Sequence, residues 1–220
     1  MKVYSVHFNR PDFIEIQKKC LDKIEGYKLV VINNQSNPEI ESKCKELGVE
    51  CHNHTHPIGM GSSMSHGSAL NFLRGIIDQS DDWCITDHDI FICKNIDLRD
   101  SDLISIQQIN NGKSYLWPGF IAGRRGIPVS HIDFSPHAGF DTGGGTHVLV
   151  DAGYKVKWVQ EEYLGEATTG FLQNSKVIIK ISDLAVHYLN GSCWMPTSQT
   201  TLEEKNQFLF ETIKSMGMEI

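Results

Sequence analysis

Two aspartates stand one residue apart in the middle of the chain, in the segment ITDHDIF (85–91). Asp87 and Asp89 follow an apolar run that is itself preceded by the acidic stretch DQSDDW. Like charges at this spacing repel, and a carboxylate at a strand end is costly to bury without a cationic partner. Carboxylate oxygens suit Mg²⁺ and Mn²⁺, which keep open positions for phosphate oxygens. The pair therefore predicts a divalent-metal site that would neutralise a diphosphate leaving group, with a simple turn cap as the alternative.

The first half of the chain alternates between apolar runs of strand length and amphipathic helical segments. The predicted strands are 2–8, 27–34, 49–54 and 82–92, and the predicted helices between them are 10–24, 37–48 and 65–79. This alternation predicts a parallel sheet covered by helices on both faces. Ligands of such sheets bind beyond the carboxyl ends of the strands. Asp87, Asp89 and the segment NNQS (33–36) are therefore expected at one edge of the sheet.

The second half of the chain adds strands that are separated by longer loops. The predicted strands are 102–108, 114–125, 154–159 and part of 176–189, and the predicted helices are 146–153 and 201–216. No linker or repeat divides the sequence. We therefore expect a single α/β domain over residues 1–220, with a mixed, mostly parallel sheet flanked by helices.

Charge and composition exclude several classes of partner. The net charge of −7 disfavours nucleic acid and anionic membranes. The sequence contains no apolar stretch of about 18 residues, so we expect no membrane span. The N-terminus has no signal-peptide pattern, and the six cysteines include no C-x-x-C pair. These features predict a cytoplasmic protein with reduced cysteines.

Four segments in this order resemble the GT-A glycosyltransferases of the family-two type. VYSVHFNRPDF is similar to their first strand and turn, LVVINNQSN to a nucleotide-binding strand end, HGSALNFLRGI to a G-x-x-x-N helix and WCITDHDIF to the D-x-D strand. The resemblance covers residues 1–95. It implies a GT-A-like, Rossmann-like fold in which 1–95 form the nucleotide-sugar-binding half and 96–220 the acceptor half. It also implies that the protein transfers a hexose or related sugar from a nucleotide-diphosphate sugar, most simply a UDP-sugar, to an acceptor hydroxyl.

The same resemblance assigns donor-binding residues. They are Asn33, Asn34, Ser36, Asn71 and Asp87. Asn33 stands where the family has an aspartate, so it can hydrogen-bond a base or a ribose only as a neutral group.

Metal-binding and catalytic residues follow from the resemblance as well. Three residues correspond to ligands of Mn²⁺ or Mg²⁺. They are Asp87 and Asp89 of the D-x-D pair, and His187 in the segment DLAVHYLNGSCW. Asp141, in FDTGGG, is the only acid in the stretch where the family has a Glu-Asp pair. The resemblance therefore implies that Asp141 takes the proton from the acceptor hydroxyl, and the alternatives are a contact to a sugar hydroxyl or a turn cap.

Other functions remain open at this point. A phosphohydrolase with a D-x-D nucleophile would carry the pair at the end of its first strand, and here the pair follows about 86 residues of α/β chain. A nucleotidyltransferase would need a Gly-rich, Arg-bearing loop after the first strand, where this chain has HFNRPDF. A non-catalytic relative that binds sugar nucleotides or glycans is the third alternative.

Three further features of the sequence could serve a site. His52, His54 and His56 alternate in CHNHTHP, which is the pattern of a zinc site or of a polar loop beside the donor. The segment GMGSSMSHG (59–67) could fold over donor phosphates. Trp117 could stack on a sugar or belong to the core.

Overall fold

The structure is a computed structural model that describes residues 1–137, 140–165, 177–189 and 199–220, without the side chains of residues 199–201. The strands are β1 (Lys2–His7), β2 (Lys28–Asn34), β3 (Glu50–His54), β4 (Trp83–Asp87), β5 (Ile90–Ile92), β6 (Leu103–Asn110), β7 (Lys113–Gly123), β8 (Val156–Val159), β9 (Glu161–Leu164), β10 (Ile178–Ile181) and β11 (Ala185–Tyr188). The helices are α1 (Pro11–Asp22), α2 (Pro38–Leu47), α3 (Ser62–Leu73), α4 (His147–Asp151) and α5 (Gln199–Ser215).

The larger sheet has seven strands in the order β3-β2-β1-β4-β7-β6-β8. Strands β3, β2, β1 and β4 are parallel to one another, and β8 is parallel to β6. Strand β7 runs antiparallel to both of its neighbours. The predicted mixed, mostly parallel α/β sheet is confirmed, and so is the predicted parallel pairing of the first two strands.

Helices cover both faces of this sheet because successive strand residues point to opposite sides. Val3 and Val31 pack with Ile14 of α1 in one apolar cluster. Tyr4 belongs to the cluster on the other face, which includes Leu70 of α3. The sheet therefore separates two cores, and its strands are apolar on both sides, as a parallel sheet between two helical layers requires.

The predicted strand 82–92 is wrong as a single element. Strand β4 ends at Asp87, a turn follows, and β5 begins at Ile90 in a second sheet of order β5-β11-β10-β9. Both halves consist mostly of buried apolar residues, and Cys84 of β4 shares an apolar cluster with Ile90 and Ile92 of β5, so hydropathy alone does not reveal the break. The same second sheet divides the predicted element 176–189 into β10 and β11, with residue 176 itself outside the described residues.

Two smaller expectations are also settled by the fold. Helix α3 begins at Ser62 and ends at Leu73, earlier at both ends than the predicted 65–79. The described cysteines are free thiols, and Cys193 lies outside the described residues. Within the described ranges, every helix is too short or too polar to cross a bilayer.

Candidate active site

The carboxyl ends of three parallel strands meet at one edge of the larger sheet. In the strand register, Val6 of β1 lies opposite Asp87 of β4, and His7 of β1 lies opposite Asn33 of β2. The two strand ends therefore share the edge, as the sequence predicts. A cavity of about 600 Å³ opens there. Its walls include Asn34, Gln35, His56, Ser65, His66, Asp87, His88, Asp89, Gln108, Trp117, Pro118, Asp141 and Thr142.

The carboxylate of Asp87 pairs with a histidine of α3. Oδ1 of Asp87 lies 2.9 Å from Nε2 of His66, and both side chains are about a quarter exposed. Burial by itself would lower the pKa of His66, but the carboxylates of Asp87, Asp141 and Asp89 outweigh it and raise that pKa. The raised pKa favours the protonated form of His66, whose charge is opposite to that of the carboxylates in the cavity.

The carboxylate of Asp89 faces a histidine from the second sheet. Nε2 of His187 lies 3.7 Å from Oδ2 of Asp89, and the two side chains are only 8% and 7% exposed. Burial would lower the pKa of His187, but Asp89, Asp87 and Glu161 together raise it. Strand pairing explains the approach, because His187 of β11 lies opposite Ile90, the residue that follows Asp89.

Gln17 of α1 fixes the turn that carries both aspartates. Its buried Nε2 donates to the backbone oxygens of Asp87, at 3.1 Å, and Ile90, at 2.9 Å. Its Oε1 lies 3.0 Å from Nε2 of His7. The ring of His88, between the aspartates, lies beside that of His7 in a tilted contact with centroids 5.6 Å apart. The turn is therefore held by α1 and β1, independently of the carboxylates.

The opposite wall of the cavity carries neutral polar groups. Nδ2 of Asn34 donates to Oγ of Ser65 at 3.0 Å, and the same oxygen lies 2.6 Å from Nε2 of His56. Oδ1 of Asn34 is buried and, among the described residues, has no hydrogen-bond partner. This amide oxygen is available to accept a hydrogen bond from a ligand.

Asp141 lies on the loop that follows Phe140. Its exposed side chain lines the cavity, and Oδ1 accepts a hydrogen bond of 2.7 Å from the backbone nitrogen of Thr142. Oγ1 of Thr142 donates to the backbone oxygen of Ser63 at 2.9 Å, which ties this loop to α3. The cavity thus brings together Asn34, Asp87, Asp89 and Asp141, as the predicted site requires.

Three other residues from the predicted donor set hold the walls in place instead of lining the cavity in the described structure. Asn33 donates to Oδ1 of Asn53 at 2.8 Å and accepts from the backbone of Asn37 at 2.9 Å. Ser36 follows in the same turn with φ of 50°. Asn71 of α3 accepts from the backbone nitrogen of Phe134 at 3.0 Å. Their direct contact with a donor stays a prediction.

The alternating histidines do not converge on one point. His52 pairs with Glu50 at 2.8 Å, His54 contacts Ser68 of α3 at 3.0 Å, and His56 faces the cavity. The zinc interpretation is therefore wrong for the described residues, and His56 belongs to a polar loop beside the cavity.

The pair formed by Asp89 and His187 fits a divalent ion held by two side chains. Their 3.7 Å separation is shorter than the roughly 4.2 Å that two bonds of about 2.1 Å can span, so one ion can reach both atoms, and an ideal octahedral pair of adjacent ligands would lie closer, at about 3.0 Å. Across the described part of the chain, no group of three or more His, Cys, Asp or Glu side chains is arranged to hold an ion by itself. Such an ion would need the remaining oxygens from a bound ligand and water, which is how Mg²⁺ usually binds.

Sequence reasoning missed His66 and Gln17. His66 stands in SHGSALNFL, five residues after Gly61, and the helical period could have placed it toward the sheet edge once α3 was known to begin at Ser62. Gln17 lies between Ile16 and Lys18 on an amphipathic helix. It gave no signal in the sequence, because its partners are backbone atoms of a turn that the apolar pattern concealed.

Comparisons with known proteins show the fold and leave the family open. No family model matches the sequence, and no curated protein is significantly similar to it. The mannosyltransferase PcManGT from Pyrobaculum calidifontis, solved with GDP-Man and Mn²⁺, aligns with a TM-score of 0.53 at 14% identity, covering 71% of this chain and 53% of that one. LgtC, a galactosyltransferase solved with donor and acceptor sugar analogues, aligns with a TM-score of 0.41 at 13% identity over 59% of this chain and 58% of its own. S. aureus TarS aligns with a TM-score of 0.42 at 14% identity over 70% and 56% of the two chains.

The chain spans just over half the length of these solved structures. The fold assignment rests on PcManGT, because the other two TM-scores are below 0.5. At 14% identity the likeness concerns the fold alone. The chain therefore has the GT-A-like α/β fold that this glycosyltransferase shares.

Proposed function

We propose that the protein is a glycosyltransferase that moves a sugar from a nucleotide-diphosphate sugar to an acceptor hydroxyl, with Mn²⁺ or Mg²⁺ bound at Asp89 and His187. The observation that carries the proposal is the 3.7 Å approach of these two side chains. Asp89, in the turn after β4, lines the cavity beyond the strand ends, and His187, from the second sheet, faces Asp89 without being part of the cavity wall. The ordered resemblance of residues 1–95 supports it. The fold shared with a mannosyltransferase solved with GDP-Man and Mn²⁺ supports it as an analogy.

The charge of the cavity supports the metal requirement. Asp87, Asp89 and Asp141 line it, and among the described lining residues there is no lysine or arginine. His66 and His187 supply the nearest positive charge, but each faces one of these carboxylates. A donor diphosphate adds at least two negative charges, which this wall would repel. A divalent ion bound between the wall and the diphosphate turns this repulsion into attraction.

Each residue of the donor side then has a physical role. Asp89 and His187 hold the ion, which when bound stabilises the negative charge of the departing nucleoside diphosphate. Asp87, oriented by His66, is a further ligand of the ion or accepts a hydrogen bond from a ribose hydroxyl. The buried amide oxygen of Asn34, which has no hydrogen-bond partner among the described residues, accepts a hydrogen bond from the nucleoside. Asn33, Ser36 and Asn71 act on the donor through the loops that they hold.

Asp141 is the proposed base for the acceptor. Its carboxylate is exposed, lines the same cavity and keeps one oxygen engaged by the backbone of Thr142. The other oxygen can take a proton from an acceptor hydroxyl. We propose one domain, residues 1–220, in which 1–95 bind the donor and 96–220 the acceptor, because the cavity takes Asn34 and Asp89 from the first part and Asp141 from the second.

The phosphohydrolase alternative gains no support from this geometry. A nucleophilic aspartate must reach phosphorus in line with the leaving oxygen. Here one carboxylate is paired with His66, and the other is 7% exposed beside His187. A non-catalytic sugar-nucleotide-binding protein would keep the metal pair, but it would not need Asp141.

A donor panel tests the proposal. UDP-, GDP- and TDP-sugars are incubated with the protein and Mn²⁺, first with water alone and then with mixed glycoside and alcohol acceptors. We expect at least one donor to release its nucleoside diphosphate, and EDTA to abolish the release. Release of a nucleoside monophosphate and a sugar phosphate instead, from hydrolysis of the bond between the two phosphates, would support the phosphohydrolase. Tight donor binding without release under any condition would support the non-catalytic relative.

A further inference from the structure

Strand β7 contains an insertion, relative to β6, where it borders the cavity. Its pairing with β6 joins Ser105 to Ile121 and Gln107 to Leu116. Only Ile106 stands between the two β6 residues, whereas residues 117–120 stand between the two β7 residues. An insertion of this kind interrupts the ladder and re-aims side chains, often beside active sites. Here it presents Trp117 and Pro118 to the cavity.

Two glycines leave room for the side chains of Trp117 and Pro118 in this insertion. A Cβ on Gly119 would lie 2.4 Å from Cζ2 of Trp117, so the indole rests against bare backbone. A Cβ on Gly143, which has φ of +97°, would lie 2.6 Å from Cδ of Pro118. Both positions therefore exclude any larger residue unless the ring moves. The absence of side chains at these two glycines therefore leaves the space that the indole and Pro118 occupy.

The indole lies between the proposed metal ligand and the loop that carries the proposed base. Its ring centroid lies 5.3 Å from that of His187, the proposed metal ligand. Pro118, its neighbour, packs on Gly143 of the loop that begins with Asp141, the proposed base. This half-buried ring and Asp141 line the same cavity, so an acceptor whose hydroxyl reaches Asp141 shares that space with the indole.

We propose that Trp117 is the wall of an acceptor subsite and that the acceptor is a sugar ring, bound by stacking of its C–H face on the indole. The inference rests on the proposed transferase function and narrows its acceptor to a glycoside or glycan. An aromatic face gives a pyranose both apolar contact and orientation, whereas a flexible alcohol or the aliphatic hydroxyl of a serine or threonine side chain offers no matching flat face. Gln108, on the same cavity wall, supplies an amide for the ring hydroxyls.

Direct titration with simple glycosides tests this inference without turnover. Methyl glycosides of glucose, galactose, mannose and N-acetylglucosamine are titrated into the protein, with and without Mn²⁺ and UDP, while tryptophan fluorescence and calorimetry are recorded. We expect at least one glycoside to give a saturable fluorescence change. Sorbitol, which has the hydroxyls of a sugar without its ring face, should give none.

Variants locate the response. Trp117→Leu keeps apolar volume without a π face, and we expect about three- to tenfold weaker glycoside affinity and loss of the fluorescence change. Trp117→Phe should stay within about threefold of wild type. Gly119→Ala should weaken glycosides as Trp117→Leu does, because the new methyl group displaces the indole. Trp158→Phe, on β8, is the control and should keep the response.

The outcomes separate this inference from the proposed function. Affinity for UDP or GDP with Mn²⁺ is measured in every variant, and it should not change by more than about twofold. If no glycoside binds to wild type, or if one binds equally well to Trp117→Leu, the inference is overturned even when donor transfer occurs. If glycosides bind through Trp117 but no nucleoside diphosphate binds, the stacking wall is supported and the transferase function is refuted.

Discussion

Nε2 of His187 lies 3.7 Å from Oδ2 of Asp89, in a place where both side chains are more than nine-tenths buried. Their chain positions are far apart, and the antiparallel pairing of β11 with β5 brings them together. A buried aspartate is costly without a cation. The imidazole of His187 can carry the compensating positive charge for Asp89, and we propose that a divalent ion takes over this role when a donor diphosphate binds.

Replacing His187 should weaken metal binding in a graded way. His187→Ala removes one ligand among several, so we expect the affinity for Mn²⁺ in the presence of nucleoside diphosphate to fall by about tenfold, within the range seen when a metal site loses one supporting group. His131→Ala, which removes an exposed histidine, is the matched control. Calorimetry measures both. An unchanged affinity in His187→Ala would remove this histidine from the ligand set.

Asp141 should affect chemistry without affecting donor binding. Asp141→Asn keeps the shape of the side chain but cannot accept a proton, so we expect kcat to fall by about 100-fold or more. Affinity for Mn²⁺ and nucleoside diphosphate should stay within about twofold. Asp133→Asn, an exposed aspartate that caps the nearby Ser135 turn, is the control. A variant of Asp141 with nearly normal kcat would leave the carboxylate with a structural role only.

Gln17 should stabilise both the fold and the metal site. Gln17→Leu conserves volume but leaves the backbone oxygens of Asp87 and Ile90 without their buried donor. We expect a loss of about 2–3 kcal/mol in the free energy of unfolding, from unsatisfied buried acceptors. Urea titration measures it, with exposed Gln207→Leu as the control. Metal affinity should fall as well, because the turn is no longer fixed. Wild-type stability in Gln17→Leu would contradict this role.

His7 should make stability depend on pH. Burial, with a smaller contribution from His88, lowers the pKa of His7 from 6.5 to about 3. As the pH falls below 6.5, the unfolded chain binds a proton that the folded chain does not, so folding stability decreases. The loss between pH 7.5 and pH 5 is about 2 kcal/mol for such a group.

Replacement by glutamine isolates this contribution. In His7→Gln, the new Nε2 can still donate to Gln17, and the titration is gone. We expect the stability difference between wild type and His7→Gln to shift by about 2 kcal/mol in favour of the variant on going from pH 7.5 to pH 5. Urea unfolding at both pH values measures it. A difference that does not change with pH would show that His7 titrates alike in both states.

The fold of the first half could be predicted because its signals are local. Continuous apolar runs set the parallel strands, and Gly48, with φ of 65°, ends α2 where the sequence predicts. The common edge of 33–36 and Asp87 then follows from strand direction. Only the short polar segment 86–89 separates the apolar runs of β4 and β5, and it also fits within a single strand, so the turn at His88 and the second sheet were not predicted.

The candidate site was predicted by residue type more than by environment. The sequence marks Asp89 as a candidate metal ligand but does not indicate how deeply it is buried, and the residue is only 5% exposed. Its burial arises from the second sheet, whose strands come from distant parts of the chain. Likewise, the partner of Asp87 is His66, whose orientation depends on where α3 begins. Such long-range contacts leave no periodic trace in a single sequence.

The central claim is that Asp89 binds a divalent ion against a donor diphosphate. Calorimetry of Mn²⁺ binding in the presence of UDP or GDP, with wild type and Asp89→Asn, tests it most directly. Asp97→Asn, which alters an exposed aspartate paired with Arg99, is the control. We expect wild type and Asp97→Asn to bind metal and nucleotide together, and Asp89→Asn to lose this binding while it keeps the fold. Equal binding by wild type and Asp89→Asn, or wild-type turnover that survives EDTA, would contradict the claim.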